Sequence, residues 1–171
     1  MKVKMLLFYL LAVLLGGCVL SLHPLYTEND LIFEKKLLGT WSKNGSTETW
    51  QFKRGKGENY YKMILTDDKG KKGSFDASLG KLNNMMFLNI FPQEPELKET
   101  GYYQFHILRA NSFIRIEQIE PTLIMQLMNP DTVKKMLEND PNLIKHEIVQ
   151  DRLILTASTK ELQKFMKAHA N

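Results

Sequence analysis

One residue in the chain has its chemistry set by both its type and its place: Cys18, the sole cysteine among 171 residues. It follows Leu15-Gly16-Gly17, and upstream lie an uninterrupted apolar run, Met5 to Leu15, and the basic residues Lys2 and Lys4. A basic start, an apolar stretch of roughly 7–15 residues and small residues before a cut describe a secretory signal peptide. The small pair matters because a peptidase takes the chain extended, with little room beside the scissile bond. Two other readings use the same residues. Met5 to Leu22 is free of charge over 18 residues, the lower limit for a spanning helix, and a plain secretory signal would make Cys18 a coincidence. A lone cysteine placed directly after the small pair argues against coincidence.

Leu15-Gly16-Gly17-Cys18 resembles the lipobox of bacterial lipoproteins. The resemblance implies a diacylglycerol on the Cys18 sulfur, cleavage between Gly17 and Cys18 by the lipoprotein signal peptidase, and acylation of the new amino group. Such an anchor is physically sufficient: each buried methylene is worth about 0.8 kcal/mol, and two or more acyl chains hold stably where one holds marginally. The residue after the cysteine is Val19 rather than Asp. By the same resemblance this implies the outer membrane, facing the periplasm, where a cell has two membranes; the inner or plasma membrane is the alternative. The stretch from Ser21-Leu22-His23-Pro24-Leu25-Tyr26 to Leu38-Gly39-Thr40-Trp41 also resembles an opening that recurs in bacterial lipoproteins.

Other chemistries find less support in the residues. Ser46, Ser74 and Ser112 fall in turns or at strand starts, outside any Gly-x-Ser-x-Gly elbow. Asp67 and Asp68 are adjacent and would diverge on a strand, and Glu94 and Glu96 flank Pro95 in a loop. His23, His106, His146 and His169 are isolated, without metal-ligand spacing. The thioethers of Met85-Met86, Met125 and Met128 could hold a soft cation, but methionine is also a flexible core filler. No catalytic set, metal or cofactor is therefore expected, and a hydrolase stays a distant third reading. Charge narrows the partners. The chain has 23 basic and 19 acidic residues, and loss of Lys2 and Lys4 leaves 21 against 19, short of the positive field nucleic-acid binding requires. Lys53-Arg54-x-Lys56 and Lys69-x-Lys71-Lys72 read as solvated turns, or as cations resting on anionic head groups.

These residues divide the chain into a signal peptide over 1–17, a lipidated tether over 18–36 and one β-rich domain over 37–171. In the domain, alternation places Trp50 with Phe52, Tyr61 with Met63 and Leu65, and Phe75 with Ala77 and Leu79, each set on one strand face. Met85 to Phe91, then Tyr103-Phe105-Ile107, Ile114-Ile116 and Leu123-Met125-Leu127 continue the series between turn formers. Asn129-Pro130 opens a helix that Asn139-Asp140-Pro141 ends, a strand is expected over Arg152 to Thr156, and Ser158-Thr159-Lys160-Glu161 is a capping box for a last helix. Seven or eight strands at this spacing predict an antiparallel meander closing into a barrel or half-barrel, with helices near 130–139 and 158–169. An α+β domain with one antiparallel sheet is the alternative.

Leu38-Gly39-Thr40-Trp41 resembles the Gly-x-Trp motif that opens lipocalin barrels. That resemblance implies a lumen, for which Trp41, Met63, Leu65, Phe75, Leu79, Ile107 and Met125 are the inward candidates. Trp41, Trp50, Phe52 and Phe105 are expected in one core. The expectation for function is a non-enzymatic, lipid-anchored envelope protein taking a small apolar ligand such as an acyl chain. The competing expectation is an assembly accessory that docks another envelope protein.

Overall fold

Alternating side chains lay down neighbouring antiparallel strands: β3 (Gly39–Ser42), β4 (Thr49–Arg54), β5 (Tyr60–Thr66), β6 (Lys72–Leu82), β7 (Met85–Pro92) and β8 (Asn111–Gln118). The computed structural model describes residues 19–42, 45–95 and 101–169. Cys18 and Gly17, the expected lipidation and cleavage positions, lie outside the described residues. Two-residue strands β1 (Leu20–Ser21) and β2 (Leu31–Ile32) join the sheet, as do β9 (Ile124–Leu127), β10 (His146–Val149) and β11 (Arg152–Leu155). The protein is mainly β, and its strand order is β10-β11-β1-β8-β7-β6-β5-β4-β3, with β2 paired to β6 and β9 to β8. All pairings are antiparallel except that of β1 with β11, so the sheet is mixed.

The predicted closure into a barrel does not occur: β3 ends one edge of the sheet and β10 the other. The sheet runs on past β8. The second side of β8 is taken by β1 at Asn111 and Ser112 and by β9 from Ile114 onward, and through β1 the order continues to β11 and β10 without returning to β3.

Each face of the sheet carries its own core. Phe87, Phe113, Leu153 and Leu155 pack with Val19, Leu25 and Tyr26 beneath two helices, α2 (Pro130–Asn139) and α3 (Thr159–His169). On the other face Phe52, Tyr61, Met63, Leu79, Leu88 and Ile114 pack under residues 31–38, with Leu37 fully buried. Phe33 stacks on Tyr61 at 4.8 Å, and the Tyr61 hydroxyl donates to the Glu34 carbonyl at 3.2 Å. Among the described residues no helix is long and apolar enough to cross a membrane.

Both long helices begin as their caps dictate. The Asn129 side chain accepts from the Asp131 and Thr132 amides, and Pro130 stands in the first turn of α2. At α3, Glu161 accepts from the Ser158 amide at 2.8 Å and hydroxyl at 2.7 Å. These bonds, with Lys145 at 3.2 Å, hold the Glu161 carboxyl down at about 2. A depressed carboxyl stabilises the fold above its ordinary unfolded pKa and ceases to do so as pH falls through the folded value. Stability is therefore expected to drop between pH 4.5 and 2, and Glu161→Gln should flatten that part of a thermal-melt pH profile.

The tether expected over 18–36 is corrected. Val19 is 2 % exposed and Leu25 and Tyr26 are buried. Leu20 pairs with both Ile154 and Ser112, the Leu22 amide donates to Leu155, and the Thr159 hydroxyl binds the Pro24 carbonyl at 2.7 Å. The Tyr26 ring lies over Gly80 so closely that a Cβ there would fall 2.6 Å from it. Pro24 and the polar run Thr27–Asp30 imitate a linker, yet the run is a 3-10 turn capped by Thr27 and Asp30.

The strand expected at Tyr103-Phe105-Ile107 is also corrected. Gly101–Gln104 is instead a short helix, α1, followed by an exposed segment to Arg109. Phe105, 85 % exposed, is outside the core expected for it, and β8 begins at Asn111.

Candidate functional site

A pocket opens where the end of β9 passes between the sheet and the two helices. Phe87 and Phe113 form its floor from the sheet, Val133 and Met136 come from α2, Phe165 and Met166 from α3, and Met128 from the β9–α2 junction. Its volume is about 150 Å³. The local sequence explains each wall. Val133 and Met136 share one face of α2, and Phe165, Met166 and His169 share one face of α3. The Asn129 cap turns the chain sharply after β9, so Met128 is delivered to the gap instead of continuing along the sheet.

Three thioethers and three phenyl rings make an apolar, deformable lining, because methionine has three rotatable bonds and a polarisable sulfur. The rim is polar: Arg115, half-buried, Gln126, Asn129, Thr132 and His169. The His169 imidazole packs against Phe165, with ring centroids 5.0 Å apart. Chemically the arrangement offers burial to an apolar group and donors to a polar head at the mouth. Engineered apolar cavities of about 150 Å³ stay dry and take a benzene-sized guest.

The inward candidates read from sequence fall elsewhere. Met63 and Leu79 are fully buried in the opposite core, and Trp41, Phe75 and Met125 are partly buried against it. The Trp41 indole donates to the Leu37 carbonyl at 2.9 Å, so Trp41 anchors the covering segment rather than the end of a lumen. Leu65 pairs across from Trp50 and Gly73. Phe75 and Ile107 do come together, in an open groove of about 770 Å³ that also takes in Leu20, Pro92, Leu108 and Arg109. Arg109 lies over the Phe91 ring at 5.0 Å and donates to the Pro92 carbonyl. The solid packing of Met63 and Leu79 removes the lumen.

The true pocket residues carried a signal that alternation does not reveal. Met136 and Val133, and Phe165 and Met166, form the apolar stripes of two amphipathic helices; only their docking on the sheet creates a cavity. Among the described residues no group of three or more His, Cys, Asp or Glu side chains is arranged to hold a metal. The chain matches no protein-family model, no curated protein and no solved structure.

Proposed function

We propose that this is a lipid-anchored envelope protein of non-enzymatic type that receives a small apolar ligand in the pocket between its sheet and its two C-terminal helices. The pocket's lining carries this reading: Met128, Met136 and Met166 with Phe87, Phe113 and Phe165, open at a rim of Arg115 and His169. Burial of apolar area at about 25 cal/mol per Å² supplies the affinity, and the rim donors orient a polar head. The size suits a ring or a short run of methylenes, such as part of an acyl chain. The lipobox resemblance at Cys18 supplies the envelope address.

Native mass spectrometry of the protein purified from its own envelope, with titration of a fluorescent fatty acid, tests the ligand. A co-purifying lipid and saturable binding are expected. Met136→Trp, which places an indole in the gap, should abolish binding while leaving the fold and melting temperature nearly intact. Undiminished binding by Met136→Trp would put the ligand elsewhere.

A second reading has its own observation. Tyr102, Tyr103, Phe105, Ile107 and Leu108 are all exposed within one short segment. An exposed apolar patch of this kind marks an interaction surface, and it favours docking of an envelope protein if the pocket proves empty.

A further inference from the structure

Resting on the lipid-anchored reading, we infer that the part of the sheet face opposite the helices that residues 31–38 leave open, beside β1 and the groove, lies against the phospholipid bilayer, with Leu108 and Val149 at the level of the head groups. The inference begins from the place where the chain enters the fold. Val19 is already in the core, so an anchor on Cys18 has no spacer, and consecutive Cα atoms are only about 3.8 Å apart. A domain joined this closely to its lipid cannot stand clear of the membrane.

The strand registers show what surrounds that entry point. Leu20 lies opposite Ser112 on one side and Ile154 on the other. Side chains directly paired share a sheet face, and every second residue returns to it. Leu20, Ile154 and Arg152 therefore share a face with Val149, which pairs with Arg152. Ser112 and Ile114 share it too, and with them Leu127, which pairs with Ile114. Val19 points the other way, into the core beneath the helices. Toward β7 this face is closed, since Ile114 is fully buried and Ser112 nearly so; it opens on the other side of Leu20, where Val149 is 51 % exposed.

The same face continues into the groove, where Leu20 lies with Ile107 and Leu108, the latter 71 % exposed. Two features fit this surface to a bilayer. Tyr102 and Tyr103 precede the groove residues, and tyrosine favours the membrane interface because its ring is apolar and its hydroxyl wet. Arg109 and Lys72 line the groove with Glu94, and Arg152 is exposed at the strand end, with Glu147 opposite Ile154 on the same face; the three cations are the groups an anionic leaflet would attract. With the open face toward the lipid, the helices and their pocket face away from it.

The test uses the mature lipidated protein in vesicles of phosphatidylethanolamine and phosphatidylglycerol. Acylation occupies the one native thiol, so Leu108→Cys, Val149→Cys and Lys164→Cys each carry a single environment-sensitive fluorophore. All three positions are exposed, so substitution there leaves the core untouched. Intact mass first establishes the acyl group. Labels at 108 and 149 should brighten, shift to the blue and be quenched by spin-labelled lipid, whereas the label at 164 on α3 should not. Acylated protein with all three labels in water overturns the inference and leaves the anchor standing. A mass without acyl groups overturns both.

Discussion

Cys18→Ser is expected to halt processing altogether: the chain should keep residues 1–17, carry no acyl group and accumulate as precursor. The specialised peptidase implied by Leu15-Gly16-Gly17-Cys18 acts after the thiol is alkylated, and serine oxygen is too weak a nucleophile and too poor a mimic to replace it. The whole-protein mass shifts by the signal peptide and the missing lipid together, so the outcome is unambiguous. Membrane fractionation of the unaltered protein gives the companion result, recovery with the outer membrane where one exists. Normal cutting of Cys18→Ser with release of soluble protein would sink the lipoprotein reading, and with it the membrane-facing surface.

The parts of this fold that were legible in the sequence are those whose signal is local. Alternation located β4, β5 and β6, and β7 was legible as a run apolar on both faces, which the structure buries from Phe87 to Ile90. Asn129-Pro130 and Ser158-x-x-Glu161 fixed the starts of both long helices, because a cap is a bond between residues two or three apart. What was not legible depends on residues far apart in the chain. β1 is two residues long and has no periodicity to read; it is a strand because Ile154 and Ser112 offer it edges. β10 and β11 are joined through Gln150 and Asp151, both at positive φ, a tight turn without the Asn-Gly signature usual there. Tyr103-Phe105-Ile107 shows the converse failure, since alternation needs a neighbouring edge to become a strand and β8 already has partners on both sides.

The candidate site follows the same division. Gly39-x-Trp41 did mark the first strand of the meander, but a strand start does not decide whether a sheet closes. The sheet runs on past β8, more than 70 residues away in sequence, without returning to β3. Once the sheet is open, its interior candidates become ordinary core, and space appears instead where two helices fail to meet the sheet perfectly.

Asn89→Ala is expected to destabilise the folded part strongly, and its consequence reaches the anchor. Asn89 is 5 % exposed, and its Oδ1 accepts from the Leu25 amide at 3.0 Å. Its Nδ2 donates to Asn111 Oδ1 at 3.1 Å, and Asn111 Nδ2 donates in turn to the Ser21 carbonyl at 3.3 Å. This buried ladder ties residues 21–25 to β7 and β8, in place of the backbone pairing that so short a strand cannot supply. Truncation leaves the Leu25 amide and the Asn111 Oδ1 without partners, and each buried orphan costs about 1–3 kcal/mol. A loss of about 2–5 kcal/mol is therefore expected, readable as a lower denaturation midpoint. Because the segment held by the ladder is also the one that joins the domain to its lipid, its release would add slack. Residues 19–26 set free could extend to about 27 Å, enough to lift the sheet face from the head groups while the lipid stays inserted. Hydrogen exchange should quicken first at Leu22 and Leu25, and a fluorophore at Val149→Cys should return to water at temperatures where the remainder of the fold persists. If those two amides exchange only with global unfolding, the ladder contributes to the core alone and does not set how closely the domain is held.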